Sequence, residues 1–110
     1  MNTEDKLQDH LTGRIKTIGA HTYKSVAPHI TCADGTTISV QAGTYLYCSP
    51  RMDTGPWSQV EVGFPSEAPP ESWSEYFDGD WGADDRTDSI YPYIPISLVA
   101  EYIDAHGGMR

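Results

Sequence analysis

His29-Ile30-Thr31-Cys32-Ala33-Asp34-Gly35-Thr36-Thr37-Ile38-Ser39-Val40 is the stretch on which the fold turns. Asp34-Gly35 is a strong hairpin signature, because glycine accepts the left-handed backbone that a tight turn between strands demands. Ile30 and Cys32 point to one side of the first strand, and Ile38 and Val40 to one side of the second, so each strand has one apolar face. A lone hairpin is marginal in water, so this pair needs further strands and an apolar cover.

Further strands are predicted on both sides. Arg14-Ile15-Lys16-Thr17-Ile18 alternates basic and apolar residues and reads as the start of one. Tyr45-Leu46-Tyr47-Cys48 continues the β-rich character until Ser49-Pro50. Trp57 to Phe64 alternates again, with Val60, Val62 and Phe64 sharing a face, and Pro65 closes the run. Ile90-Tyr91-Pro92-Tyr93-Ile94-Pro95 is extended, since proline disfavours the helical region for the residue before it.

The cover is predicted from the two ends of the chain. Thr3 begins a short helix with acids in its first turn, Leu7 and Leu11 four apart on one face, and Gly13 as its stop. Ser97 to His106 reads as a second helix, with Val99 and Ile103 four apart and Gly107-Gly108 after it. Between them, Ser72-Trp73-Ser74-Glu75 matches a capping box and predicts helical turns through Phe77. Asp78 to Asp85 is too rich in glycine and aspartate for regular structure. The expected fold is α+β, a single domain over residues 1–110: a small antiparallel sheet of four or five strands, short N- and C-terminal helices, and an acidic loop region.

Charge is the most informative property of the composition. The formal net charge is −9, and residues 1–52 hold five Lys/Arg against four Asp/Glu, whereas residues 53–110 hold two against twelve. A chain this acidic repels phosphates, so neither nucleic acid nor an anionic membrane is an expected direct partner. No run of about 18 apolar residues is present to span a bilayer, and the polar, acidic N-terminus is wrong for a secretory signal. The expectation is therefore the cytoplasm, with Cys32 and Cys48 as thiols rather than a disulfide.

The acids concentrate between Glu61 and Asp88, where nine of them face one cation, Arg86. Trp73, Tyr76, Phe77 and Trp81 are interleaved with them. Double-stranded DNA carries a charge about every 1.7 Å of its axis, so closely spaced carboxylates can imitate it, and aromatic side chains beside them suit interface anchors. Glu71, Glu75, Tyr76, Asp78, Asp80, Trp81, Asp84, Asp85 and Asp88 are accordingly the candidate partner-binding residues. The competing reading is a solvated loop whose aromatics fold inward to pin it.

Chemistry finds no comparable anchor. Asp78, Asp80 and Asp84 match a calcium loop only in part: Gly82 stands at position five, Ala83 where the glycine is needed and Ser89 where the last glutamate belongs. Cys32, Cys48 and scattered histidines lack zinc-ligand spacing. His21 and His29 read as surface or core-edge residues. No Gly-x-Ser-x-Gly occurs, Gly79 and Gly82 lack the Lys-Ser/Thr of a phosphate loop, and acids gathered in one loop give little sign of a catalytic cleft. No enzyme activity, metal or cofactor is expected.

Three blocks carry a resemblance: His29 to Gly35, Gly55 to Ser66, and Tyr93 through Gly108. Together they resemble small uncharacterised accessory proteins of tailed bacteriophages and prophages. The resemblance assigns no site residues, and the stretch between Glu67 and Asp88 lies outside its blocks. It implies a genomic setting in which small acidic proteins often inhibit host defence, anti-CRISPR proteins among them. Joined to the charge pattern, it makes the expected function that of a non-enzymatic inhibitor binding a basic surface of a host nucleic-acid-processing protein complex. The alternative is a phage structural, assembly or accessory protein that self-associates, for instance as a homodimer.

Overall fold

In the computed structural model, residues 2–110 are described, apart from the side chains of Lys16, Thr17, Thr22, Tyr23 and Lys24. The elements follow one another as α1 (Thr3–Thr12), β1 (Ile15–Ile18), β2 (His21–Lys24), β3 (Ile30–Thr31), β4 (Thr37–Gln41), β5 (Gln59–Gly63), a 3-10 helix (Glu71–Tyr76), β6 (Ile90–Pro95) and α2 (Ile96–Ala105). β3, β4, β5 and β6 form a four-stranded antiparallel sheet in sequential order, and β1 with β2 forms a separate hairpin. The α+β architecture is thus the expected one, with the Arg14–Ile18 strand in the separate hairpin and not in the main sheet.

The hairpin centred on Asp34-Gly35 pairs Ile30 with Ile38 and Thr31 with Thr37. Gly35 has φ +93°, and Thr36 N–H donates to Asp34 Oδ1 at 2.9 Å, an Asx turn that satisfies the local backbone. Alternation along β4 and β5 buries Ile38, Val40, Val60 and Val62. They form the core with Leu7 and Leu11 of α1 and Val99 and Ile103 of α2. The two helices also pack on each other.

The end of α2 is stitched to this hairpin. Gly108 N–H donates back to Ile103 O at 2.9 Å, Ala33 N–H to Gly108 O at 2.9 Å, and Arg110 N–H to Thr31 O at 2.8 Å. Gly107 has φ +93°, and a Cβ there would stand 2.8 Å from Ala33 Cβ. Only glycine meets both conditions without strain.

α1 begins at Thr3 as read, with Asn2 before it as the cap, its Oδ1 accepting from Asp5 N–H at 2.8 Å. Several local expectations are corrected. Ser72 does not head a capping box: the 3-10 helix begins at Glu71 after Pro70, whose carbonyl accepts from Trp73 N–H at 3.0 Å. Tyr45 to Cys48 is turn, not strand, because Cys48 Sγ folds back to bond Gly43 N–H and C=O, each at 3.2 Å. Phe64 does not share the buried face of Val60 and Val62. Its backbone lies in the left-handed region at φ +51°, which turns the ring outward, 48% exposed. Cys32 and Cys48 are both buried thiols, and burial pushes the Cys32 thiol above its usual value, with Asp34 adding to the effect.

Candidate functional site

The acid-rich segment is built outward from the aromatic end of the core. After β5, Ser66 is fastened to β4: its N–H donates to Thr37 O and its Oγ accepts from Thr37 N–H, both at 2.8 Å. The chain then passes Pro69-Pro70 into the 3-10 helix, which buries Trp73. Trp73 meets Tyr91 edge-on at 5.2 Å and Tyr102 at 5.2 Å, while Phe77 contacts Tyr91 at 5.4 Å and Trp81 edge-on at 5.3 Å. Tyr102 in turn lies 4.6 Å from the His106 ring. Such tilted and edge-to-face pairs add to the stabilisation from area burial alone.

This run of rings decides what the aromatics can do. Trp73 and Phe77 are core residues, and Tyr76 and Trp81 are half-buried. Arg86 sits 4.1 Å above the Trp81 ring, and its Nε and Nη2 both donate to Trp81 O, at 3.2 and 3.0 Å. The lone cation of the segment therefore closes the turn over Trp81. Tyr91 Oη donates to Arg86 O at 2.6 Å and holds that turn to the sheet. Burial pushes the Tyr91 hydroxyl up to about 12 and raises that of Tyr76, where Glu75 contributes.

The carboxylates behave differently. Glu71, Glu75, Asp78, Asp80, Asp84, Asp85 and Asp88 are all exposed. Three of them also organise the turns. Asp84 Oδ2 accepts from Asp80 N–H at 2.8 Å, Asp80 Oδ1 from Gly82 N–H at 3.0 Å, and Asp85 Oδ1 from Thr87 N–H at 2.9 Å and Thr87 Oγ1 at 2.6 Å. The Thr87 hydroxyl and amide hold the Asp85 carboxyl below its usual range. The structure thus gathers all nine predicted site residues onto one segment. Its seven carboxylates are exposed, Trp73 and Phe77 are buried, and Tyr76 and Trp81 are half-buried.

Two features escaped the sequence reading. The first is a groove of about 390 Å³ between the Ala68–Trp73 stretch and the outer face of α2, with Ala68, Pro70, Trp73, Leu98, Tyr102 and Ala105 as its apolar lining. Glu101 and His106 also line it. Exposed Glu67 and Glu71 flank the lining residues Ala68 and Pro70 in sequence, and the Glu67 carbonyl accepts from Tyr102 Oη at 2.7 Å. The groove is mostly apolar, with Glu101 and His106 as its polar lining. Its walls lie some 30 residues apart in the chain, so no local motif announces it.

The second feature is a polar cluster at the end of α2. His106 Nδ1 lies 2.7 Å from Asp34 Oδ2 and 3.1 Å from Thr36 Oγ1. Hydrogen bonds from the Thr36 hydroxyl and amide, then from His106, bring the Asp34 carboxyl down to about 2. Activation of a nucleophile by histidine needs carboxylate and hydroxyl on opposite ring nitrogens. Here both meet Nδ1, so the cluster is a clamp between helix and hairpin. Among the described residues, no three His, Cys, Asp or Glu side chains are grouped to hold a metal ion, and no helix is long and apolar enough to cross a membrane.

No protein-family model, curated protein or solved structure matches this chain.

Proposed function

We propose that this protein works by binding rather than by catalysis, presenting the carboxylates of residues 71–88 to a cationic surface of a partner protein that otherwise holds nucleic acid. The observation that carries this reading is the division of labour within the segment. Inward rings and Asp-mediated turns hold its backbone, and seven exposed carboxylates ride on that ordered support. A pre-ordered charge array loses less conformational entropy on binding than a disordered acidic tail. In the setting implied by the resemblance to phage accessory proteins, the partner is a host defence complex and the outcome is inhibition.

Opposite charge accelerates encounter and weakens with salt, since the screening length falls from about 30 Å at 0.01 M to about 3 Å at 1 M. The test is capture of partners from a bacterial host lysate on the immobilised protein, at low and high salt, with and without double-stranded DNA. The expected result is a nucleic-acid-binding complex retained at low salt and displaced by DNA. Retention that is indifferent to both salt and DNA would contradict the reading.

A further inference from the structure

The connection between β4 and β5, residues 42–58, contains no helix or strand. Loops longer than about 12–15 residues without structure of their own are uncommon and usually functional. This one is held from several sides. Thr44 N–H donates to Asp53 Oδ1 at 2.8 Å, and Trp57 Nε1–H to Met52 O at 3.0 Å. Gln8 of α1 clasps the Trp57 backbone, its Oε1 accepting from Trp57 N–H at 3.0 Å and its Nε2 donating to Trp57 O at 2.7 Å. On this fixed frame Tyr45 is 92% exposed and Tyr47 50%.

The sheet brings a second ring to the same place. Val60 pairs with Ile94 and Val62 with Tyr91, so Glu61 alone on β5 faces both Pro92 and Tyr93 on β6. Such a bulge re-aims a side chain, and bulges gather beside functional sites. Tyr93 takes φ +53°, a conformation costly for a bulky residue. Its N–H donates to Tyr47 O at 3.0 Å, and its half-exposed ring lies 5.8 Å from the Tyr47 ring at 47°. Glu61 Oε1 accepts from Tyr47 N–H at 3.4 Å. The exposed Arg51 holds its guanidinium 5.6 Å from the centre of the Tyr47 ring.

We propose that Tyr47 and Tyr93 form a stacking platform for the sugar rings of a neutral polysaccharide, with Glu61 and Arg51 bonding the sugar hydroxyls. A pyranose ring has an apolar C–H face and a rim of hydroxyls. It suits exposed aromatic faces with one acceptor group and one donor group beside them. The two ionic groups cancel, so on a chain of net charge −9 this neighbourhood favours a ligand without charge. A nucleobase also stacks on tyrosine, but its phosphates meet the repulsion of the whole chain. The platform uses none of the carboxylates of residues 71–88, and binding to it is indifferent to salt.

NMR titration of the isotope-labelled full chain with maltohexaose, cellohexaose and N-acetylchitohexaose, and separately with a thymidine oligonucleotide, tests it. The expected result is that at least one hexasaccharide moves the ring resonances of Tyr47 and Tyr93, with the same millimolar or tighter affinity at low and high salt. Tyr47→Ala weakens that binding at least tenfold, whereas Tyr47→Phe, which keeps the stacking face, holds it within about threefold. Tyr93→Gly removes the other ring and suits the positive φ. It loses binding at least tenfold while its thermal unfolding midpoint is kept or raised, which a merely structural role would not give. No response to any of the three hexasaccharides, a response to the oligonucleotide alone, or binding that Tyr47→Ala and Tyr93→Gly leave intact overturns the inference. None of these results bears on the capture experiment above.

Discussion

At the scale of single residues, the structure is decided where backbone conformation and side-chain chemistry coincide. Gly107 combines a left-handed φ of +93° with an approach to Ala33 that leaves no room for a methyl group. Gly107→Ala is expected to destabilise the protein by about 1–3 kcal/mol, measured as a lower urea midpoint. Asp34 supplies a second residue-scale expectation. Its carboxyl is held at about 2 against an ordinary 3.8, so the folded state favours the ionised form. That contribution is fully present above pH 3.8 and is lost as pH falls toward 2. Asp34→Asn should therefore flatten the acid limb of the stability–pH curve between those values, and an unchanged limb would count against the clamp. The Asp-Gly turn itself is legible in the sequence because its chemistry is local. Phe64 is not: alternation places it beside Val60 and Val62, and only its positive φ reverses it.

At the scale of elements, what was legible depended on how far the deciding contacts reach. α1, β4, β5 and α2 were readable from periodicity, since one burial face imposes one period on the sequence. Tyr45 to Cys48 has strand-like composition, yet Cys48 turns back onto Gly43 and no strand forms. Ser72 to Glu75 spells a capping box, but Trp73 is drawn into the ring cluster and the chain takes a short 3-10 turn after Pro70. That turn depends on its tertiary packing rather than on helix propensity. Trp73→Ala, which removes a side chain only 1% exposed, is expected to cost about 3–5 kcal/mol in denaturant unfolding. It should also release the acidic segment, seen as faster amide exchange over residues 71–89 while exchange in α1 follows global stability alone. Uniform exchange across the segment and α1 would mean that the ring cluster does not organise the turns.

At the scale of the whole molecule, the sequence separates its charges, with no acid between Leu11 and Ala33 and nine between Glu61 and Asp88. The acidic concentration was plain in the sequence. Its presentation was not, because it depends on which rings turn inward and which carboxylates serve the turns. Asp80, Asp84 and Asp85 hold the turns as well as being exposed, so replacing them would confuse any loss of binding with loss of shape. Glu71, Glu75, Asp78 and Asp88 are exposed and their carboxylates are not the acceptors in the three Asp-mediated turns, which makes them the informative set. The measurement that tests the account most directly is low-salt capture of the proposed nucleic-acid-binding partner from host lysate by the wild-type chain and by Glu71→Gln/Glu75→Gln/Asp78→Asn/Asp88→Asn, with thermal unfolding run in parallel. The account predicts at least a tenfold loss of capture in the variant with its unfolding midpoint kept. Capture at wild-type level by the folded variant would contradict it.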